Sequence, residues 1–251
     1  MKNDLADKIE PIFSDVQFNY GLLIRMNGQT LVEHRSRASF PSASLIKLAI
    51  LADILDSHIQ LDQMIPVHED QLVGGAGVLQ LLQPRDWKLR DLLALMISDS
   101  DNSATNVVIS FIGMEHVQNY LKSNGFEQTK LNRYLMDGRS LALGIDNFTS
   151  AEESLRLLDS ALSHGATIAS WFKDQQFRYK LPGNFDESNE KVVVYNKTGE
   201  GYLIDHDVAK VVYNNKAVDV GLLTSGSNHR MDTLHIFNQV GQTLLDWLKM
   251  E

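Results

Sequence analysis

The sequence predicts an α+β fold: a five-stranded antiparallel sheet built from the two ends of the chain and flanked by the terminal helices, with an all-helical lobe between those ends. Three observations predict it. Runs with strand character are confined to the two ends, the stretch between them has helical spacing, and an amphipathic helix stands near each terminus. The expectation is a single domain over residues 1–251, with a sheet lobe at about 1–40 and 186–251 and a helical lobe at about 41–185. A cleft should lie between the lobes.

Residues 3–14 read as a short amphipathic helix. Two strand-like runs follow, 18–26 and 30–36, joined at Asn27 and Gly28, and Asn-Gly between apolar runs is a strong hairpin signal. From Ser44 to about Leu181 the segments "SLIKLAILADILDSH", "VLQLLQ", "LRDLLALMISD", "SATNVVISFIG", "MEHVQNYLKSNG" and "SAEESLRLLDSALSHG" have helical spacing or helix-end glycines such as Gly125 and Gly165. After "LPGNFDESNE" come three β-type runs, "KVVVYNKTG", "HDVAKVVYNN" and "AVDVGLLTS", the last two joined tightly at Asn214, Asn215 and Lys216. A helix over 231–249 closes the chain.

Composition narrows the function classes. A formal charge of -9 and a pI near 5.3 give no basic field for nucleic acid or an anionic membrane, which leaves small molecules as partners. Without cysteine there is no thiolate nucleophile, disulfide framework or Cys-based metal site. The eight histidines show neither His-x-x-x-His nor His-Glu-x-x-His spacing, so no metal or other cofactor is expected. The acids Asp4, Asp7 and Glu10 interrupt the N-terminus where a signal peptide would be apolar. As the sequence stands the expected location is cytoplasmic, or secreted or periplasmic if an export signal has been trimmed. No run of eighteen apolar residues predicts a membrane span.

The chemistry begins at "PSASLIKLAI", where Lys47 interrupts an apolar run one turn after Ser44. On a helix residues three apart share a face, and a helix start offers free N–H groups to a developing anion. A serine hydroxyl at its free pKa is inert; an amine held neutral by an apolar wall and nearby cations can serve as its base. Ser-x-x-Lys alone says little, since it occurs three times here, at Ser44/Lys47, Ser170/Lys173 and Ser188/Lys191. Two further triplets occur once each and separate these: Ser100-Asp101-Asn102 after a helix, and Lys197-Thr198-Gly199 at the end of a strand. "GGAG" at 74–77 lacks the lysine of a phosphate loop and reads as a loop, and no Gly-x-Ser-x-Gly elbow is present.

Taken in this order and on these elements, the three motifs resemble those of the serine β-lactamases and penicillin-binding proteins, most closely class A β-lactamases. "FPSASLIKLAIL", "LRDLLALMISDSDNSATNVVI" with Ala104 and Asn106, and "YNKTGEG" with "HDVAKVVY" extend the resemblance over roughly 17–250. It implies a hydrolase that opens the β-lactam ring, as in antibiotic resistance and β-lactam breakdown, through an acyl-enzyme on Ser44. It further implies that Lys47 takes or relays the proton of Ser44, that Ser100 protonates the departing nitrogen, and that Asn102 holds Lys47 and the substrate's side-chain amide. Lys197, Thr198 and Gly199 would bind the substrate carboxylate. The backbone N–H groups of Ser44 and Glu200 would form the oxyanion hole.

One part of the family pattern is missing. Class A enzymes carry Leu-x-Arg-x-Glu-x-x-x-Asn on the loop after the helical lobe, and its Glu positions the deacylating water. With Leu131 and Arg133 in register, Leu135 stands at the Glu position. The nearest acid is Asp137, a candidate replacement that can equally be a solvated turn acid beside Gly138, and Asn147 stands in for the family's Asn. Acylation is therefore expected with slow deacylation. The alternatives are a D,D-peptidase or small-ester hydrolase, which need no such Glu, and a covalent β-lactam sensor. The expected partner is a small acyl donor bearing a carboxylate, and oligomeric state is not legible.

Overall fold

The computed structural model describes residues 2–183, 185 and 191–250. Helix α1 (Lys2–Ile9) runs into a 3-10 turn over Glu10–Phe13, and strands β1 (Asn19–Met26) and β2 (Gln29–His34) form the predicted hairpin. Asn27 and Gly28 both hold positive φ, 51° and 75°, the left-handed pair a two-residue turn needs and that Asn-Gly adopts at little cost. The short β3 (Phe40–Pro41) leads into a 3-10 turn, Ala43–Leu45, continuous with α2 (Ile46–Asp56). There follow β4 (Met64–Pro66), β5 (Asp86–Lys88), α3 (Leu89–Ser98), α4 (Asn102–Ile112), α5 (Met114–Ser123), α6 (Gly138–Ala142), β6 (Phe148–Thr149), α7 (Ala151–Ser163) and α8 (Ala166–Lys173). Strands β7 (Val192–Gly201), β8 (Ile204–Tyr213) and β9 (Lys216–Ser225) precede the closing α9 (Arg230–Met250).

The strands from the two ends join in one antiparallel sheet of order β2-β1-β9-β8-β7, as the sequence predicts. Alternation of side chains across the sheet divides its apolar residues between two cores. On one face Leu22, Ile24, Val220 and Leu222 pack with Leu5 and Ile9 of α1 and with Phe237 and Leu244 of α9. On the other, Leu23, Val208 and Leu223 join Leu48, Leu51, Leu92, Leu155 and Phe172 of the helical lobe.

Helix α2 runs through the middle of that second core, with every residue from Ile46 to Leu55 buried. It is apolar all round because it has neighbours all round. Among the described residues, no helix is long and apolar enough to cross a membrane.

Two readings of the middle segment need correction. "VLQLLQ" forms no helix beyond a 3-10 turn over Leu79–Leu81, because only Leu79 finds a core position while Leu81 and Leu82 face solvent. Strands also occur within the helical lobe: β4 pairs with β5, and β3 pairs with β6. The second pair matters for the site, since it ties the segment before Ser44 to the end of the 131–147 loop. Such two- and three-residue pairings leave no periodicity to read.

Candidate active site

Ser44 sits in the 3-10 turn that opens α2, and Lys47 lies in the helix's first turn, on the same side. Ala43 just before it has a left-handed backbone, φ 43°, a conformation that costs a non-glycine residue roughly 1–3 kcal/mol and marks a constrained corner. Lys47 is 0% exposed. Its side-chain nitrogen lies within hydrogen-bond reach of four oxygens, Ser44 Oγ at 3.1 Å, Ser100 O at 2.5 Å, Ser100 Oγ at 3.1 Å and Asn102 Oδ1 at 2.9 Å. Burial first, and then the charge of Lys197, push its pKa well below the ordinary lysine value, against the weaker opposing pull of Asp101 and Asp99. A lysine so placed gives up its proton, and so becomes able to accept one, at a lower pH than an exposed lysine does.

The Ser-Asp-Asn triplet fills the gap between α3 and α4. Ser100 has a left-handed backbone, φ 51°, and its Oγ lies between two lysine nitrogens, 3.1 Å from Lys47 and 3.0 Å from Lys197. Asp101 is the N-cap of α4, accepting from Ala104 N at 2.8 Å, and its other oxygen accepts from Leu79 N at 2.7 Å. Asn102 holds Lys47 through Oδ1 and donates through Nδ2 to Gly74 O at 3.2 Å. The "GGAG" segment is a loop, as expected, and Gly75 and Ala76 line the cleft.

The Lys-Thr-Gly triplet lies on β7, at the edge of the sheet nearest the turn that carries Ser44. Gly199 permits that approach: a Cβ there would meet the backbone oxygen of Ser42 at 3.1 Å and the ring of His206 at 3.2 Å. Lys197 is wholly buried, and burial draws its pKa down to about 7, with Asp207 opposing and Lys180 adding to the shift.

Behind β7 is a polar layer that the sequence did not reveal. Lys180 donates to Gly199 O at 3.0 Å and pairs with Asp205 at 3.1 Å. Gln175 donates to Asn196 O, and Lys197 to Thr198 O. Asp207, pushed up to about 7 by burial, accepts from Asn196 Nδ2 and Leu181 N. His206 is held neutral, its pKa drawn down to about 4 by burial: Nε2 lies 2.7 Å from Pro41 O, and Nδ1 lies 2.8 Å from Asp205 O and 3.1 Å from Thr224 N. It thereby pins the chain three residues before Ser44. Glu200 turns its carboxylate away to Tyr179 OH and to Arg230 at 2.9 Å.

The 131–147 loop forms the facing wall. Asn106 clamps Leu135 by both backbone groups, donating to its oxygen at 3.0 Å and accepting from its nitrogen at 2.9 Å. Arg133 pairs with Asp146 at 2.8 Å. Asn147 accepts from the nitrogens of Asn132 and Arg133 and donates to Arg133 O, so it braces the neck of the loop and is not among the residues lining the cleft.

Leu135 lines the cleft and is only 8% exposed. Asp137 also borders the cleft, but it is the N-cap of α6: its oxygens accept from Arg139 N at 3.1 Å, Ser140 N at 3.0 Å and Ser140 Oγ at 2.5 Å. Those bonds, with Ser140 foremost, lower its pKa and its strength as a base.

The cleft between these walls, about 430 Å³, therefore gathers Ser44, Ser100, Asn102, Thr198 and Glu200 on one side and Leu135, Met136, Asp137 and Leu141 on the other. Lys47, Lys197 and Gly199 stand directly behind the first group. Of the remaining Ser-x-x-Lys pairs, Ser170 lies on α8 bonded to its own helix, at Thr167 O, and Ser188 is outside the described residues. Among the described residues no group of three or more His, Asp or Glu side chains is arranged to hold a metal ion.

The family model described as the beta-lactamase enzyme family matches residues 4–248. Beta-lactamase L2 of Stenotrophomonas maltophilia is 29% identical over 133 residues, 51% of this chain and 44% of that protein, so the match spans under half of that relative's length. A β-lactamase structure from Sphaerobacter thermophilus has a TM-score of 0.85 at 20% identity, covering 100% of this chain and 99% of that one. A PBP-A variant with a leucine changed to glutamate, solved as an acyl-enzyme complex with penicillin G, has a TM-score of 0.82 at 20% identity, covering 99% and 97%. At such identities the solved structures establish the fold alone.

Proposed function

Because the chain belongs to the beta-lactamase enzyme family, we propose that it is a serine hydrolase of the class A β-lactamase type, acylated on Ser44 by β-lactams and slow to release the acyl group. The observation that carries this reading is the buried Lys47 nitrogen 3.1 Å from Ser44 Oγ, in a cleft lined by Leu135, the residue that the class A pattern aligns with its deacylation Glu.

Ser44 Oγ attacks the lactam carbonyl as its proton passes to Lys47. The resulting oxyanion is met by the backbone N–H groups of Ser44 and Glu200, and removal of one such donor typically costs roughly 10²–10³ in rate. The C–N bond then breaks, the electron pair stays on nitrogen, and Ser100 delivers a proton to it, replenished from Lys47. Asn102 receives the amide of the acyl side chain. Lys197, with Thr198 and Gly199, receives the carboxylate, and its ammonium 3.0 Å from Ser100 Oγ also favours proton release from that hydroxyl.

The product is an ester on Ser44, and its hydrolysis needs an activated water. Leu135 offers no base, and the oxygens of Asp137 are already engaged by α6. That difference between fast formation and slow removal separates this reading from an efficient β-lactamase. The same lack of a carboxylate favours a D,D-peptidase or ester hydrolase as the second reading.

Mixing the protein with penicillin G and following intact mass tests the proposal. One adduct of the drug's full mass should form and persist well beyond a second, and Ser44→Ala should form none. Absence of adduct on the wild type refutes acylation; clearance within a second refutes slow release.

A further inference from the structure

The wall that faces Ser44 is apolar at the end where an acyl side chain would lie. Leu135 supplies its floor, and Met136 and Leu141 stand over it, 56% and 49% exposed, with Phe177 lining the strand side. Contiguous large apolar side chains left open on a cleft, next to a buried one, mark a surface that gains from being covered. Met136 has a left-handed backbone, φ 63°, and its sulfur reaches across to Gly75: a Cβ built there would lie 3.1 Å from Met136 Sδ and 2.7 Å from Asn102 Nδ2. The thioether thus lies close to the amide of Asn102, and a flexible, polarizable side chain can mould itself to a ring placed against it. Of the charged side chains that line this end, Arg133 pairs with Asp146 and Asp137 caps α6.

We propose that the lip formed by Leu135, Met136 and Leu141 selects acyl donors with an uncharged hydrophobic side chain, aromatic ones best, and disfavours donors whose side chain is charged or absent. This rests on the acylation of Ser44 proposed above. A ring laid against Leu135, Met136 and Leu141 covers apolar surface, whereas an ammonium or carboxylate laid there would give up water to side chains that offer it no hydrogen bond.

The test uses three penicillins with one nucleus: the phenylacetyl compound, the zwitterionic aminoadipyl compound, and 6-aminopenicillanic acid. Second-order acylation rate constants are measured by mass spectrometry, each divided by the compound's own rate of alkaline hydrolysis. The phenylacetyl compound should react at least about tenfold faster than either of the others, the discrimination that partial burial of a ring supports. In the double variant Met136→Ser, Leu141→Ser, at two half-exposed positions outside either core, that preference should fall at least about fivefold. Equal rates across the series, or a variant that keeps the full preference, overturn the inference and leave acylation standing. No adduct from any of the three overturns the acylation reading, and this inference with it.

Discussion

On the wall of the cleft that carries Lys47, backbone and side chains serve the same end. The turn at Ala43 aims Ser44, α2 buries Lys47, and Ser100 bridges two lysine nitrogens. The facing wall is held as firmly, by Asn106 on both backbone groups of Leu135, by the Arg133 and Asp146 pair, and by Asn147 at the neck. Yet the side chain so carefully positioned is a leucine. The contrast teaches that the placement of a residue and its chemistry are separable. Backbone hydrogen bonds hold position 135 whatever side chain it bears, so on the reading proposed above a scaffold for hydrolysis stands without the group that hydrolyses.

The sharpest way to break this comparison is to supply the missing group. Leu135→Glu should accelerate loss of the penicillin adduct by about 10² or more, the lower range for a positioned general base, read as the decay of the acyl-enzyme mass. Asn106→Ala in that background should forfeit most of the gain if placement resides in the clamp. A Leu135→Glu adduct as long-lived as the wild type's would mean that the facing wall lacks more than a carboxylate.

Next in size is the response to pH, which should come from the Lys47 wall alone. A lysine whose pKa burial has lowered is charged below that value and neutral above it. Capture of a carboxylate by Lys197 is therefore complete in acid and declines as pH rises through about 7, so acylation should fall by up to about tenfold per pH unit on the alkaline side. Lys197→Arg, charged throughout, should remove that limb; a limb unchanged in the arginine variant assigns it to another group.

The smallest effect is expected at Asp137. Asparagine caps helices as well as aspartate does, so Asp137→Asn should leave the adduct lifetime within about twofold and the melting temperature nearly unchanged. A lifetime extended tenfold would restore Asp137 as the water's base and erase the difference between the walls.

The strands and long helices were legible because their periodicity is local, and the three motifs because their order and element types coincide. Counting from Leu131 and Arg133 was enough to expose the gap at Leu135. What remained hidden depends on contacts between distant segments: Lys180 beneath Gly199, His206 on Pro41, and Met136 across the cleft at Gly75. The cap at Asp137 could have been read from its neighbours, since an aspartate two and three residues before Arg139 and Ser140 is an ordinary N-cap spacing. "VLQLLQ" misled for the opposite reason: its leucines follow helical spacing, but the loops around it leave no core for them to meet.

Strand β7 closes the sheet on the side of the cleft, and the outer strand of a sheet is ordinarily a template on which another chain can aggregate. Here two alternate main-chain oxygens of that strand are already engaged by side chains, Asn196's by Gln175 and Thr198's by Lys197. The polar layer that braces the Lys-Thr-Gly segment thereby also occupies acceptors that an added strand would need.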